Sequence, residues 1–76
     1  MNYQKAKIDV YDVEIADIND FFQAQIFYIQ TKFYATIISK SKPEFELEVG
    51  LFEQIADAKQ GVIDFILSRL FYVQNR

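Results

Sequence analysis

The stretch Glu44-Phe-Glu-Leu-Glu-Val49, which lies between Pro43 and Gly50, alternates strictly between acidic and apolar residues. Successive side chains of a β-strand point to opposite faces of a sheet. The period of two therefore predicts a strand with one apolar face toward a core and one acidic face toward solvent. Proline and glycine at its two ends make this the most clearly bounded element of the chain.

A partner strand is predicted just upstream, over Phe33–Lys40, where isoleucine, threonine, phenylalanine and tyrosine are frequent. The connection Ser41-Lys42-Pro43 is short enough for a β-hairpin. Three cross-strand pairs define the predicted register: Lys40 with Glu44, Ile37 with Leu47, and Ala35 with Val49. The first of these pairs sets opposite charges side by side. The second is expected to be buried on both strands.

The N-terminal part of the chain predicts a strand over Lys5–Ile15. Its apolar residues fall on even positions up to Val10 and on odd positions from Tyr11. A strand whose alternation slips by one residue is expected to contain a β-bulge, here near Val10–Tyr11. The residues Asp17–Asp20 then predict a turn.

The segment Phe21–Gln30 has two interpretations. Asn19 is a suitable N-cap for a helix, but such a helix would be apolar on every side, so a strand is preferred. The next turn is predicted at Gln30-Thr31-Lys32, although it lacks the glycine or asparagine usual in hairpins.

One long helix is predicted over Leu51–Val73, with Gly50 as its N-cap. At 100° per residue, an inner apolar stripe contains Ile55, Val62, Ile66 and Val73. The polar side opposite contains Glu53, Asp57, Gln60, Asp64 and Ser68. Gly61 is placed on that polar side, where it weakens the helix by about 1 kcal/mol relative to alanine and allows a break.

A second apolar stripe on the same helix contains Ile63, Leu67 and Phe71. A helix that packs on one sheet needs an apolar stripe of only about 100° or somewhat more. The inner stripe already meets that need, and an exposed apolar patch usually marks an interaction site. The sequence therefore predicts a homodimer whose interface includes these three residues. The alternatives are that Leu67 and Phe71 cover the sheet edge or pack under the N-terminal strand, or that the stripe binds a different protein.

The fold expected from these elements is α+β: an antiparallel sheet of three or four strands, followed by one long C-terminal helix packed on the sheet. The 76 residues are expected to form a single domain. Absence of cysteine and of an N-terminal apolar signal segment favours a cytoplasmic protein. No uncharged stretch is long enough to predict a membrane span. The net charge of −3 argues against direct nucleic-acid binding.

The residues that carry most enzyme chemistry are missing from the sequence. It has no histidine and no cysteine, which removes the usual general base, the thiolate nucleophile and the common zinc ligands. Asp9, Asp12, Glu14 and Asp17 lie close together but do not match the spacing of a calcium-binding loop. We therefore expect no catalytic site, no cofactor and no metal.

The acidic side of the predicted strand is the sharpest candidate site. Glu44, Glu46 and Glu48 would project from one face at about 6.6 Å intervals. Such a row of negative charge resembles successive phosphates in its spacing. It suggests binding to a protein partner with a basic surface, such as a nucleic-acid-binding protein. A solubility role is the simpler explanation of the same residues, since charges on the open face of a sheet keep it soluble and prevent edge pairing.

Two classes of function follow from these surfaces. The first is a small acidic, non-catalytic binding protein of the inhibitor type, for example a phage-encoded antagonist or a nucleic-acid mimic. The alternative is a structural or adaptor subunit, or a small chaperone-like module, that assembles through its apolar helix face. The run Glu46–Ile55 resembles strand segments of export chaperones of the SecB type, and this resemblance carries no functional residue over to the chain.

Overall fold

A computed structural model describes residues 1–70, which form an antiparallel sheet with one helix on one of its faces. The five strands follow each other across the sheet in chain order: β1 (Gln4–Ile8), β2 (Tyr11–Asp17), β3 (Phe22–Ile29), β4 (Lys32–Ser39) and β5 (Glu46–Phe52). Helix α1 spans Ile55–Phe65 and continues as a π-helical segment over Ile66–Leu70. The α+β class is confirmed, and the sheet has one strand more than the upper predicted number.

The extra strand comes from the segment that was predicted as one bulged strand. Ile8 and Tyr11 are direct cross-strand partners, and the two residues between them form a tight turn. Asp9 adopts a φ of 55° there, in the left-handed region that aspartate tolerates better than most residues. Val10 is 81% exposed at the tip. The slip in alternation was therefore a two-residue hairpin turn, and the predicted bulge is wrong.

The segment that the sequence left open between helix and strand is the central strand, β3, so the preferred prediction is confirmed. Asn19 does not cap a helix. Its Oδ1 accepts hydrogen bonds from the backbone N–H groups of Phe21 (2.7 Å) and Phe22 (2.9 Å), which holds the turn that leads into β3. The predicted turns on either side of this strand are both present.

The turn between β3 and β4 contains a residue in an unfavourable backbone conformation. Gln30 has a φ of 57°, which glycine adopts without steric cost and other residues adopt at about 1–2 kcal/mol. We expect Gln30→Gly to raise the free energy of unfolding by about 0.5–1 kcal/mol in urea denaturation. Thr31→Gly is the matched control and should lower it, because Thr31 is not among the residues with positive φ. Equal effects of the two changes would contradict this reading of the turn.

The hairpin of β4 and β5 has the predicted pairing of Ile37 with Leu47. The pairing of Ala35 with Val49 is wrong, because a β-bulge between Ala35 and Thr36 shifts the register and pairs Ala35 with Gly50. Leu47 is not buried, because it is 41% exposed.

Lys40 also differs from its predicted position. Its backbone N–H donates to the carbonyl of Phe21 (2.9 Å), which continues the pairing of β4 with β3 beyond Ser39. Its Nζ lies 3.1 Å from Oδ1 of Asp17, and not beside Glu44. The hydrogen bond from Lys40 lowers the pKa of Asp17 below its ordinary value. The predicted Lys40–Glu44 pair is therefore wrong.

The helix begins four residues later than predicted. Strand β5 continues through Phe52, and Gln54 is the N-cap residue, without a side-chain capping bond. Gly50, which was predicted as the cap, lies inside the strand with a φ of 156°, a conformation largely restricted to glycine. The part of the predicted helix beyond Leu70 lies outside the described residues.

The core lies between α1 and the sheet. Its buried members are Ala24, Ile26, Ala35, Ile37, Ala58, Val62 and Ile66. The inner stripe is confirmed for Val62 and Ile66, and Ile55 packs at its edge; Val73 lies outside the described residues. Gly61 is corrected. It does not lie on the polar side of the helix, because a Cβ at this position would be 2.5 Å from Cζ of Phe52.

Candidate functional site

The sheet has one face that α1 does not cover. Directly paired residues of an antiparallel sheet lie on the same face, so the register assigns each side chain. Ala24, Ile26, Ala35 and Ile37 pack with α1, which makes the alternate residues of the same strands the other face. We call this the open face. Within residues 1–70, no helix lies on it.

An apolar row crosses the open face from one edge to the other. The register places its five members side by side, one on each strand: Ala6, Val13, Phe27, Tyr34 and Leu51. The ring centroids of Phe27 and Tyr34 are 6.4 Å apart, and Tyr11 meets Phe27 edge-on at 6.3 Å. Val13 is buried although it lies outside the helix-side core, because these larger neighbours surround it. The open face thus has an apolar surface of its own, in which aromatic rings pack against each other.

The next row along the strands mixes apolar and polar residues: Ile15, Gln25, Thr36 and Glu48. Nε2 of Gln25 donates to Oε1 of Gln23 (3.1 Å), which fixes this amide. Thr36 is fully buried, and its hydroxyl has no hydrogen-bond partner in the part of the chain that the structure describes. These polar groups lie on the two middle strands of this row, between Ile15 on β2 and Glu48 on β5.

The predicted acidic row is only partly assembled. Glu46 and Glu48 lie on the open face of the edge strand β5, as their alternation predicted. Glu44 lies in the turn before β5 and does not belong to the row, because the strand begins two residues later than expected. Burial raises the pKa of Tyr34, and the carboxylates of Glu48 and Glu46 raise it further. The two acids therefore border the apolar row at one edge of the sheet.

The predicted helix interface is exposed in the described residues. Ile63 is 41% and Leu67 is 61% exposed, on the side of the helix away from the sheet. We call these two residues the outer helix stripe. Phe71, the third predicted member, lies outside the described residues. The homodimer predicted through this stripe stays a prediction.

A cluster of contacts connects the N-terminus to the helix on its covered side. Nζ of Lys59 lies 3.1 Å from Oε1 of Glu14 and 4.7 Å from the ring centroid of Tyr3. Burial raises the pKa of Tyr3, and the carboxylate of Glu14 adds to this shift. A groove of about 370 Å³ lies nearby, between β1–β4 and Ile55. The Lys59–Glu14 ion pair is satisfied within the chain, which is typical of a structural contact.

Residues 1–70 contain no group of three or more side chains placed to hold a metal ion. None of their helices has the length and apolar character needed to cross a membrane.

The apolar surface of the open face was missed by the sequence reasoning. The phase slip near Val10 was read as a bulge, so Ile8 and Tyr11 were not recognised as partners on one face. A partial signal is present in the unbroken apolar runs Ile26–Ile29 of β3 and Phe33–Ala35 of β4, since strands that are apolar on both faces are typical of a sheet covered on both faces.

Comparison with protein-family models, with curated proteins and with solved structures finds no match to this chain.

Proposed function

We propose that this chain is a non-catalytic binding protein that occupies the surface of a protein partner. The observation that carries the proposal is the position of Glu46 and Glu48, which border the apolar row at the edge of the open face. An apolar centre beside a charged, accessible rim is the usual composition of a protein–protein interface. The absence of histidine and cysteine from the sequence supports a function without catalysis.

The charge of the chain indicates the kind of partner. Its net charge is −3, and the two glutamates project from one strand about 6.6 Å apart. A basic surface, such as that of a nucleic-acid-binding protein, would be attracted to this edge. Complementary charges at an interface rim mainly accelerate association and select the partner. An antagonist that blocks a basic groove fits these properties.

The experiment compares two charge-matched double variants after the partner has been captured from host lysate and identified by mass spectrometry. Glu46→Gln with Glu48→Gln removes two charges from the open face. Asp20→Asn with Glu44→Gln removes two charges from turns. We expect the first variant to associate about tenfold more slowly at low salt, and the second to behave like the unmodified chain.

At high salt the difference should disappear, because the screening length falls from about 10 Å at 0.1 M to about 3 Å at 1 M. Normal association of the Glu46→Gln, Glu48→Gln variant at low salt would contradict the proposal. It would assign the two acids to solubility alone.

A second candidate is a structural or adaptor subunit, or a chaperone-like module, that assembles through the outer helix stripe. The exposure of Ile63 and Leu67 favours it, since burial of each would contribute roughly 1.5–3 kcal/mol. Under this candidate, Leu67→Glu abolishes capture of the partner, while the charge variants leave it unchanged.

A further inference from the structure

We infer that a second copy of this chain covers the open face, so that two sheets pack face to face with their apolar rows in contact. The two-fold axis that relates the copies runs parallel to the strands, near β3. This inference goes beyond partner binding: it assigns the apolar row to a second copy and leaves the edge with Glu46 and Glu48 to the partner.

The sheet carries apolar side chains on both of its faces, which favours a second packing partner on the open face. β3 and β4 bury Ala24, Ile26, Ala35 and Ile37 under α1, yet they also carry Phe27, Tyr34 and Ile38 on the open face. Strands that are apolar on both faces are typical of a sheet covered on both faces. In residues 1–70 the only helix is already used on one side.

The area of the open face matches the lower range of specific dimers. Five strands at about 4.8 Å spacing and seven residues of about 3.4 Å each give roughly 570 Å² for one face. Two such faces bury roughly 1,100 Å², above the approximate 1,000 Å² that a specific interface needs. The outer helix stripe offers two described apolar side chains and a much smaller area.

The apolar row is suited to contact with itself. It crosses all five strands through Phe27 on the central strand, so a dyad along β3 superposes the row of one copy on the row of the other. Two sheets pack about 10 Å apart with their strands aligned to within about 30°. Closed two-fold dimers are the commonest oligomers.

The acids determine which dyad is favoured. Glu46 and Glu48 lie on β5 at one edge of the sheet, and β1 forms the other edge. A dyad parallel to the strands places β5 over the partner copy's β1, whose open-face residues Gln4, Ala6 and Ile8 carry no charge. A dyad perpendicular to the strands would place β5 over β5, so that all four glutamates lie along one edge of the dimer, where their charges repel. In the favoured arrangement the acids remain at the rim, where a basic partner can still reach them.

The first experiment is sedimentation equilibrium on the chain alone, with a matched pair of variants. Leu51 on the open face is 58% exposed, and Leu67 on the outer helix stripe is 61% exposed. We expect the unmodified chain to be a dimer, Leu51→Glu to raise its dissociation constant at least tenfold, and Leu67→Glu to leave it unchanged. Circular dichroism confirms that each variant is folded. A monomeric unmodified chain, or loss of the dimer through Leu67→Glu alone, would overturn the inference.

A second experiment tests the orientation and does not depend on the folding of Leu51→Glu. The sequence has no cysteine, so single cysteines can be introduced without interference. Ala6→Cys and Leu51→Cys lie on the apolar row at β1 and β5. A bis-maleimide of about 10 Å span, the distance between packed sheets, should link the two variants when they are mixed. Cross-linking of either variant to itself but not to the other would overturn the strand-parallel dyad. Both measurements use the chain alone, so their failure leaves the partner experiment with Glu46 and Glu48 intact.

Discussion

Replacement of Ile37 by alanine is expected to lower the free energy of unfolding by about 2–5 kcal/mol. Ile37 is fully buried and belongs to the core between α1 and the sheet. The change removes buried methyl and methylene groups and leaves a cavity in the core that also contains Val62. The surrounding side chains are closely packed, so they relax into this cavity only in part. A domain of this size has a total stability of only several kcal/mol, so the effect approaches complete unfolding. Urea denaturation followed by circular dichroism measures it.

The neighbouring residue provides the matched control. Ile38 has the same side chain but lies half-buried on the open face, opposite Glu46. Ile38→Ala should lower the free energy of unfolding by about 1 kcal/mol or less, since folding of one copy buries only part of this side chain. The comparison is made at the lowest protein concentration that the measurement allows. Similar losses for Ile37→Ala and Ile38→Ala would show that the two faces of β4 are equally buried. The division of the sheet into a core face and an open face would then be wrong.

The elements with a strict pattern were predictable from the sequence. The alternation around Glu46–Val49 located β5 and set its acids on the face away from the core. The 3.6-residue period placed Val62 and Ile66 against the sheet. In both cases the pattern depends only on which side of one element faces solvent, and that is a local property.

The features that the sequence did not predict depend on contacts between elements. The turn at Asp9–Val10 lacks the glycine that usually identifies a two-residue hairpin, because Asp9 itself adopts the positive φ. The bulge opposite Ala35 shifts β5 so that Gly50 lies in the strand and not at the start of the helix. Lys40 contacts Asp17, which lies far away in the sequence. The spacing of apolar residues within a single element does not predict this turn, this bulge or this ion pair.

The same reasoning applies to the candidate site. Alternation correctly separated Glu46 and Glu48 from the core, but the boundary of β5 decided that Glu44 stays in the turn. The apolar row needed the register of all five strands, since its members are distributed one to a strand. A surface of this kind becomes visible only when the sheet is assembled.

Gly61→Ala is expected to destabilise the protein by up to about 2 kcal/mol, although alanine is the better helix former. Helix propensity alone would give a gain of about 1 kcal/mol. The added methyl would lie 2.5 Å from Cζ and 3.0 Å from Cε2 of Phe52, so the aromatic ring must move. Overpacking of this kind costs about 1–3 kcal/mol and exceeds the propensity term. Chemical denaturation measures the net effect.

The ring of Phe52 lies beside both glycines of the chain. A Cβ on Gly50 would also lie 3.4 Å from Cε1 and Cζ of this ring, so the ring fills space left open by Gly50 in β5 and by Gly61 in α1. The control is therefore Gly61→Ala in a Phe52→Leu background, where the shorter side chain leaves space for the methyl. There the same change should be neutral or stabilising, and the double-mutant cycle should give a coupling energy above about 1 kcal/mol. If Gly61→Ala stabilises the chain that retains Phe52, the helix does not approach β5 as closely as this contact requires.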